Sequence, residues 1–171
     1  ETNLVYRSMK KVFDRAGFSP KGIRLNQTNG IPVTRGLGSS AACIVGGMVA
    51  ANALAGFTFD MDELMKMAVK EDGHPDNVVP AMIGGMTAAC IEGDEVLYVR
   101  MQPPEAIKFA VMIPDVKLRT AKAREVIPRV IPLEDAVFNI SRTAVLVSSF
   151  MTGKIENLMA ATQDRLHQPY R

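Results

Sequence analysis

The sequence predicts an α+β fold. Three observations carry that reading. Several stretches repeat apolar residues at helical spacing, and two short β-rich runs flank a Gly-Asp turn. Strands and helices then mix without the strict alternation that a doubly wound sheet requires.

The elements follow in chain order. Leu4, Val5, Met9, Val12, Phe13 and Ala16 recur at helical spacing, and Gly17 supplies the stop. Gly22 to Asn26 (GIRLN) alternates apolar and polar residues, as a half-buried strand does. From Ala41 to Leu54 the chain is small and apolar, with Ile44, Val45, Met48, Val49 and Leu54 spaced as on a buried helix. Gly46, Gly47, Ala50 and Ala51 in that run would let a neighbour approach closely. Asp60 is placed to N-cap a helix from Met61 to about Val69.

Met86 to Ile91 and Val96 to Met101 read as strands, joined by the turn Glu92-Gly93-Asp94-Glu95. Pro103-Pro104 then breaks the chain and marks a boundary between residues 1–104 and 105–171. Ile107 to Ile113 (IKFAVMI) reads as a third, more apolar strand. A helix is expected near Ala121, interrupted by Pro128 and Pro132. Leu133-Glu134-Asp135 opens a long helix through about Met151, closed by Gly153, and Lys154 to about Gln163 reads as a last helix.

Composition narrows the function classes. Apolar residues make up 47% and charged ones 22%, which is globular usage. A net charge of +2, with basic residues spread among acidic ones, argues against a nucleic-acid surface. Cys43 and Cys90 sit in apolar or small-residue runs and read as buried thiols, which points to a reducing compartment and a cytoplasmic location. No apolar run reaches the roughly 18 residues of a membrane span, so no membrane partner is expected.

The chemistry begins at Ile31 to Ala42, IPVTRGLGSSAA. A helix leaves its first four amides without partners, and its dipole makes that end positive. Glycines ahead of such an end let the backbone curl its amides around an anion. Ser39 and Ser40 add hydroxyls that suit a phosphate oxygen or a magnesium shell. The stretch is a phosphate cradle in physical terms, although it lacks the lysine of a Walker loop and the third glycine of G-x-G-x-x-G. A plain turn with a serine N-cap, and a solvated Arg35 beside it, is the alternative.

Two further stretches hold candidate site residues. Asp72-Gly73-His74-Pro75-Asp76-Asn77 places a histidine, a carboxylate and an amide within one turn; alternatively Asp76 caps a short helix and His74 satisfies a carbonyl. His167 is the one other histidine, and no H-x-x-x-H or cysteine pair suggests a self-contained metal site. Thr120 and Arg124 are four apart, hence on one helix face, and arginine's planar fork matches a carboxylate; a capping threonine and a solvated arginine are the alternative.

Pro32 to Ala42 resembles the motif P-x-x-x-G-L-G-S-S-A-A of the GHMP kinases. In that family the loop wraps the ATP phosphates. The resemblance makes Pro32, Val33, Thr34, Arg35, Gly36, Leu37, Gly38, Ser39, Ser40, Ala41 and Ala42 nucleotide-binding residues, with Ser40 also in the shell of Mg2+. Glu1-Thr2-Asn3-Leu4 resembles the segment D-E-T-N-L, whose asparagine lies near the adenine and matches Asn3. The implied architecture is the GHMP kinase fold, with an N-terminal part like domain 2 of ribosomal S5 and a ferredoxin-like C-terminal part.

Asp72 to Pro80 resembles E-G-H-P-D-N-V-x-P of the branch of this family that phosphorylates homoserine. Asn77 matches the asparagine that contacts the amino acid, with His74 and Asp76 beside it. The acidic metal ligand ahead of the glycine is usually glutamate; here that position holds Asp72, preceded by Glu71, and either carboxylate could serve. T-x-x-A-R and D-x-x-H-x-P-x-R match substrate-binding segments of the same branch, through Thr120, Arg124 and Arg171.

The implied reaction carries the γ-phosphoryl of ATP to the hydroxyl of L-homoserine, with Ser40, Asp76, Asn77 and Arg124 as the residues nearest the chemistry. Asp76 is the candidate base by position, but alignment alone would suffice. Another small alcohol as acceptor, or a non-catalytic nucleotide-binding relative, are the other readings. The resemblance also suggests a homodimer. The family's opening P-A-T-S-A-N-L-G-P-G-F-D and late S-G-A-G-P motifs are not in the sequence, which therefore reads as a fragment.

Overall fold

The computed structural model describes residues 3–113 and 126–170. The expected helix near Ala121, and with it Thr120, Arg124 and Arg171, lies outside the described residues. The chain divides into two compact units, one running through Val33 and from Leu37 to Arg100, the other made of Thr34–Gly36 and the chain from Met101 onward.

The first unit is built on four helices. α1 (Leu4–Ala16) opens on Asn3, whose Oδ1 accepts from the Tyr6 amide at 3.1 Å, and closes on Gly17 in the left-handed conformation. Its buried stripe is Met9, Val12 and Phe13. α2 (Ser39–Leu54) packs on α1 through Gly47, where a Cβ would come 2.5 Å from the Val5 carbonyl oxygen. The small residues of this helix are thus the condition for close approach rather than mere filler.

α3 (Met61–Asp72) begins with a capping box. Asp60 accepts from the Glu63 amide at 2.8 Å, and the Glu63 carboxylate accepts from the Asp60 amide at 3.3 Å. Buried Asn52 ties the α2–α3 connection by bonding both the amide and the carbonyl of Phe59. α4 (Pro75–Ile83) follows, and Val78 and Val79 are fully buried. Met48, Met65, Ala68 and these valines join the α1 stripe in one apolar core. Each of the larger side chains contributes on the order of 1.5–3 kcal/mol by leaving water.

β1 (Met86–Glu92) and β2 (Glu95–Met101) form a two-stranded hairpin. Gly93, with φ 62°, takes the first turn position, where a two-residue loop favours glycine. Lys66 of α3 meets Glu95 of β2 at 2.6 Å.

In the second unit, α5 (Leu133–Thr152) ends at left-handed Gly153, and a 3-10 turn (Ile155–Asn157) leads into the short α6 (Leu158–Ala161). The predicted last helix is therefore broken in two. Two predicted strands are not strands. Gly22 to Asn26 has no ladder partner among the described residues; Ile23 packs on the core while its neighbours stay exposed. Ile107 to Ile113 likewise has no ladder partner among the described residues, with Phe109, Val111 and Met112 largely exposed. Apolar alternation reports a face to bury, and a strand also needs a neighbour to bond. Both cysteines are free, but neither is fully buried: Cys43 is half-buried, and Cys90 is exposed because burial fades along β1 toward the hairpin turn. Among the described residues, no helix is long and apolar enough to cross a membrane.

Candidate functional site

The glycine-serine stretch forms a curled loop that ends as the first turn of α2. Thr34, Gly36 and Gly38 are left-handed, at φ 58°, 71° and 73°, while Arg35 and Leu37 between them are not. Left-handed residues alternating with others are the backbone type from which anion-receiving loops are built. Thr34 is β-branched and costs roughly 1–2 kcal/mol in this conformation.

Gly38 is the N-cap of α2 and has no side chain to offer its amides. The first helical bond runs from the Ala42 amide to the Gly38 carbonyl at 3.0 Å. The amides of Ser39, Ser40 and Ala41 precede it, and a helix gives such amides no internal acceptor. Ser39 is buried, and its Oγ accepts from Asn29 Nδ2 at 2.9 Å. Ser40 is exposed. One serine therefore braces the loop and the other faces outward.

The second motif folds by plain local rules. Gly73, at φ 89°, stops α3. His74 is extended, as a residue before proline must be, and N-caps α4; Pro75 opens the helix with no amide to waste. His74, not Asp76, is thus the cap residue, and its Nδ1 is buried without a hydrogen-bond partner among the described residues. Asp76 and Asn77 sit exposed in the first turn, where Asn77 Nδ2 donates to Asp76 Oδ1 at 3.1 Å.

The two motifs meet. A Cβ built on Gly38 would lie 3.1 Å from Asn77 Oδ1 and 3.7 Å from its Cβ and Cγ. Glycine at 38 is required twice over, by its left-handed backbone and by the side chain pressed against it.

The two candidate metal carboxylates differ in surroundings. The Glu71 side chain is 6% exposed and accepts from Arg7 Nη2 at 3.2 Å and from Lys11 Nζ, both on α1. Asp72, the last residue of α3, is half-buried. Asn3 spends its Oδ1 on the α1 cap, and its Nδ2 donates to Gln27 Oε1 at 3.4 Å. Gln27 Nε2 in turn reaches Cys43 Sγ at 3.3 Å.

The donor set fits a phosphate chain: left-handed glycines, amides ahead of a helix, and an exposed hydroxyl. Among the described residues, no three His, Cys, Asp or Glu side chains gather to hold a metal by themselves. A hard oxygen pair such as Ser40 and one carboxylate suits Mg2+, which takes few protein ligands when phosphates complete its shell. Asn29 and Gln27 brace this region and were not among the candidates. The polar run Asn26-Gln27-Thr28-Asn29 directly before the loop is the signal that marks them.

Residues 3–85 match the family model described as "GHMP kinases N terminal domain". Over all 171 residues the chain is 54% identical to a homoserine kinase of Caldicellulosiruptor bescii and 53% identical to one of Caldicellulosiruptor saccharolyticus, covering 56% of each relative. The chain thus spans about half the length of these curated relatives. It superposes over its whole length on 56% of the crystal structure of homoserine kinase from Cytophaga hutchinsonii, with a TM-score of 0.81 and 26% identity.

Proposed function

We propose that the chain is part of a GHMP kinase, as the match over residues 3–85 and the 54% identity across the chain support, and that the full-length protein transfers the γ-phosphoryl group of ATP to the hydroxyl of L-homoserine, a step toward threonine. One observation carries the proposal: the phosphate-type loop and the amino-acid-type motif lie against each other at Gly38 and Asn77.

ATP supplies the phosphoryl group when bound, and Mg2+ offsets its charge. The amides of Gly36 to Ala41 hold the phosphates, and the remaining residues of Pro32 to Ala42 contact the nucleotide. Asn3 lies toward the adenine. Ser40 and Asp72 hold the magnesium. Glu71 does not, because Arg7 and Lys11 already neutralise it. Asn77, with His74, Thr120, Arg124 and Arg171, positions homoserine, the arginines by bonding its carboxylate. Asp76 orients the Asn77 amide through their hydrogen bond and takes no proton. Alignment of the hydroxyl with the γ-phosphorus supplies the rate; as the new O–P bond forms, ADP leaves and the hydroxyl proton passes to an oxygen of the transferred phosphoryl group. A homodimer in the cytoplasm completes the reading.

ADP release by the full-length protein, measured with L-homoserine, mevalonate and galactose side by side, tests it. Release that depends on homoserine is the expected result. Turnover of mevalonate or galactose in its place reassigns the substrate, and nucleotide binding without turnover overturns the enzymatic reading.

A further inference from the structure

The D-x-x-H-x-P-x-R segment is held to α5 by a set of contacts that no motif announces. Asp135, Phe138, Asn139 and Arg142 fall at i, i+3, i+4 and i+7, so they share one face of α5. Asn139 uses both ends of its amide. Its Nδ2 donates to Asp164 Oδ1, and its Oδ1 accepts from the Arg165 amide at 2.9 Å. Asp164 then gathers the loop that follows. Its carboxylate accepts from the amides of Leu166 at 3.0 Å, His167 at 2.7 Å and Gln168 at 2.6 Å.

The rest of the loop is closed on itself. Gln168 Nε2 donates to the Thr162 carbonyl at 3.0 Å, and the Tyr170 amide donates to the His167 carbonyl at 3.0 Å. Arg165 is an anchor. It donates to Asp135 Oδ1 at 3.1 Å, and its guanidinium, like that of Arg142, lies 4.0 Å from the centroid of the Phe138 ring. Arg165 is therefore committed to α5 and is not the arginine available to a ligand.

Charge-assisted bonds to a carboxylate are about twice as strong as neutral ones. One carboxylate holding four donors fixes the backbone of a loop that would otherwise cost entropy to order on binding. We infer that Asn139 and Asp164 are positioning residues for the amino-acid substrate: they lock the loop whose next residue after Tyr170 is Arg171. This inference rests on the function proposed above, in which Arg171 bonds the substrate carboxylate.

Steady-state kinetics of the full-length protein test it. Asn139→Ala should raise KM for L-homoserine by about tenfold, with kcat and KM for ATP changed by less than about twofold, because lost preorganisation falls on the ligand the loop holds. Asn139→Asp sets two carboxylates against each other and should act in the same direction at pH 7. The exchange Asn139→Asp with Asp164→Asn restores a donor facing an acceptor across this contact but loses the bond from the Leu166 amide to Oδ1, so it should recover the homoserine KM in part, below the value of Asn139→Asp alone. General destabilisation would not spare kcat and the KM for ATP while raising the KM for homoserine. A wild-type protein that phosphorylates homoserine, with an Asn139→Ala variant whose two KM values move together or not at all, overturns this inference alone. A wild-type protein that does not use homoserine overturns the functional proposal and takes the inference with it.

Discussion

Gly38 opens α2 in the left-handed conformation with the Asn77 side chain against it, so close that a methyl group would sit 3.1 Å from Oδ1. Gly38→Ala must either move Asn77 or unwind the loop. The left-handed backbone alone costs an alanine roughly 1–2 kcal/mol. The variant is expected to stay folded and to lose turnover by at least about tenfold, since a small misplacement of aligned groups is expensive. Wild-type kinetics in a folded Gly38→Ala variant would separate the two motifs.

Glu71 and Asp72 are adjacent and should behave differently. Glu71 ties the end of α3 to Arg7 and Lys11 of α1. Breaking a fully buried pair costs about 3–5 kcal/mol. Here both cations are about half exposed, so solvent screening brings the expected loss nearer about 1–2 kcal/mol. Glu71→Gln should lower the melting temperature and leave the magnesium requirement of turnover unchanged. Asp72→Asn should raise the magnesium concentration needed for half-maximal rate. The opposite pattern would hand the metal to Glu71.

Much of the fold was legible because its signals are local. Gly17 and the Asp60–Glu63 box bound α1 and α3 from within a few residues, and Gly93 marks the hairpin. The GIRLN and IKFAVMI runs misled because a strand is a property of a pair, and no local pattern names the partner. In the site, each motif could be read singly, but the contact of Gly38 with Asn77 joins residues far apart in the chain. The Asn139–Asp164 bond was invisible for the same reason, although the spacing of Asp135, Phe138, Asn139 and Arg142 marks a polar face on α5 that needed an explanation.

Gly47 reports on the core and lies away from the loop. Its Cβ would meet the Val5 carbonyl oxygen at 2.5 Å and Ser8 Cβ at 3.2 Å. Gly47→Ala gains helix propensity, but overpacking of about 1–3 kcal/mol outweighs it. Urea unfolding should show a lower midpoint with nearly unchanged slope. A stabilised variant would mean that α1 and α2 are not in contact at this point.

Asp164 should titrate unusually. Burial alone would raise its pKa, but the hydrogen bonds from Asn139 and from the amides of Gln168, Leu166 and His167 outweigh burial and hold it well below the carboxylate range. A depressed folded pKa means stability that is present above the unfolded value of about 3.9 and is lost as pH falls through the folded one. The carboxyl carbon of Asp164, followed by NMR, should show no inflection from about pH 7 down to the ordinary aspartate range near 3.9. An inflection near that value would mean the loop is not gathered by this side chain.

The most direct test of the central claim is the 31P spectrum of the full-length protein incubated with ATP, Mg2+ and L-homoserine. Transfer from a nucleotide held at α2 to an alcohol held beside Asn77 predicts a new phosphomonoester resonance that grows in step with ADP. ADP accompanied by inorganic phosphate alone, or an unchanged ATP spectrum, would contradict the account.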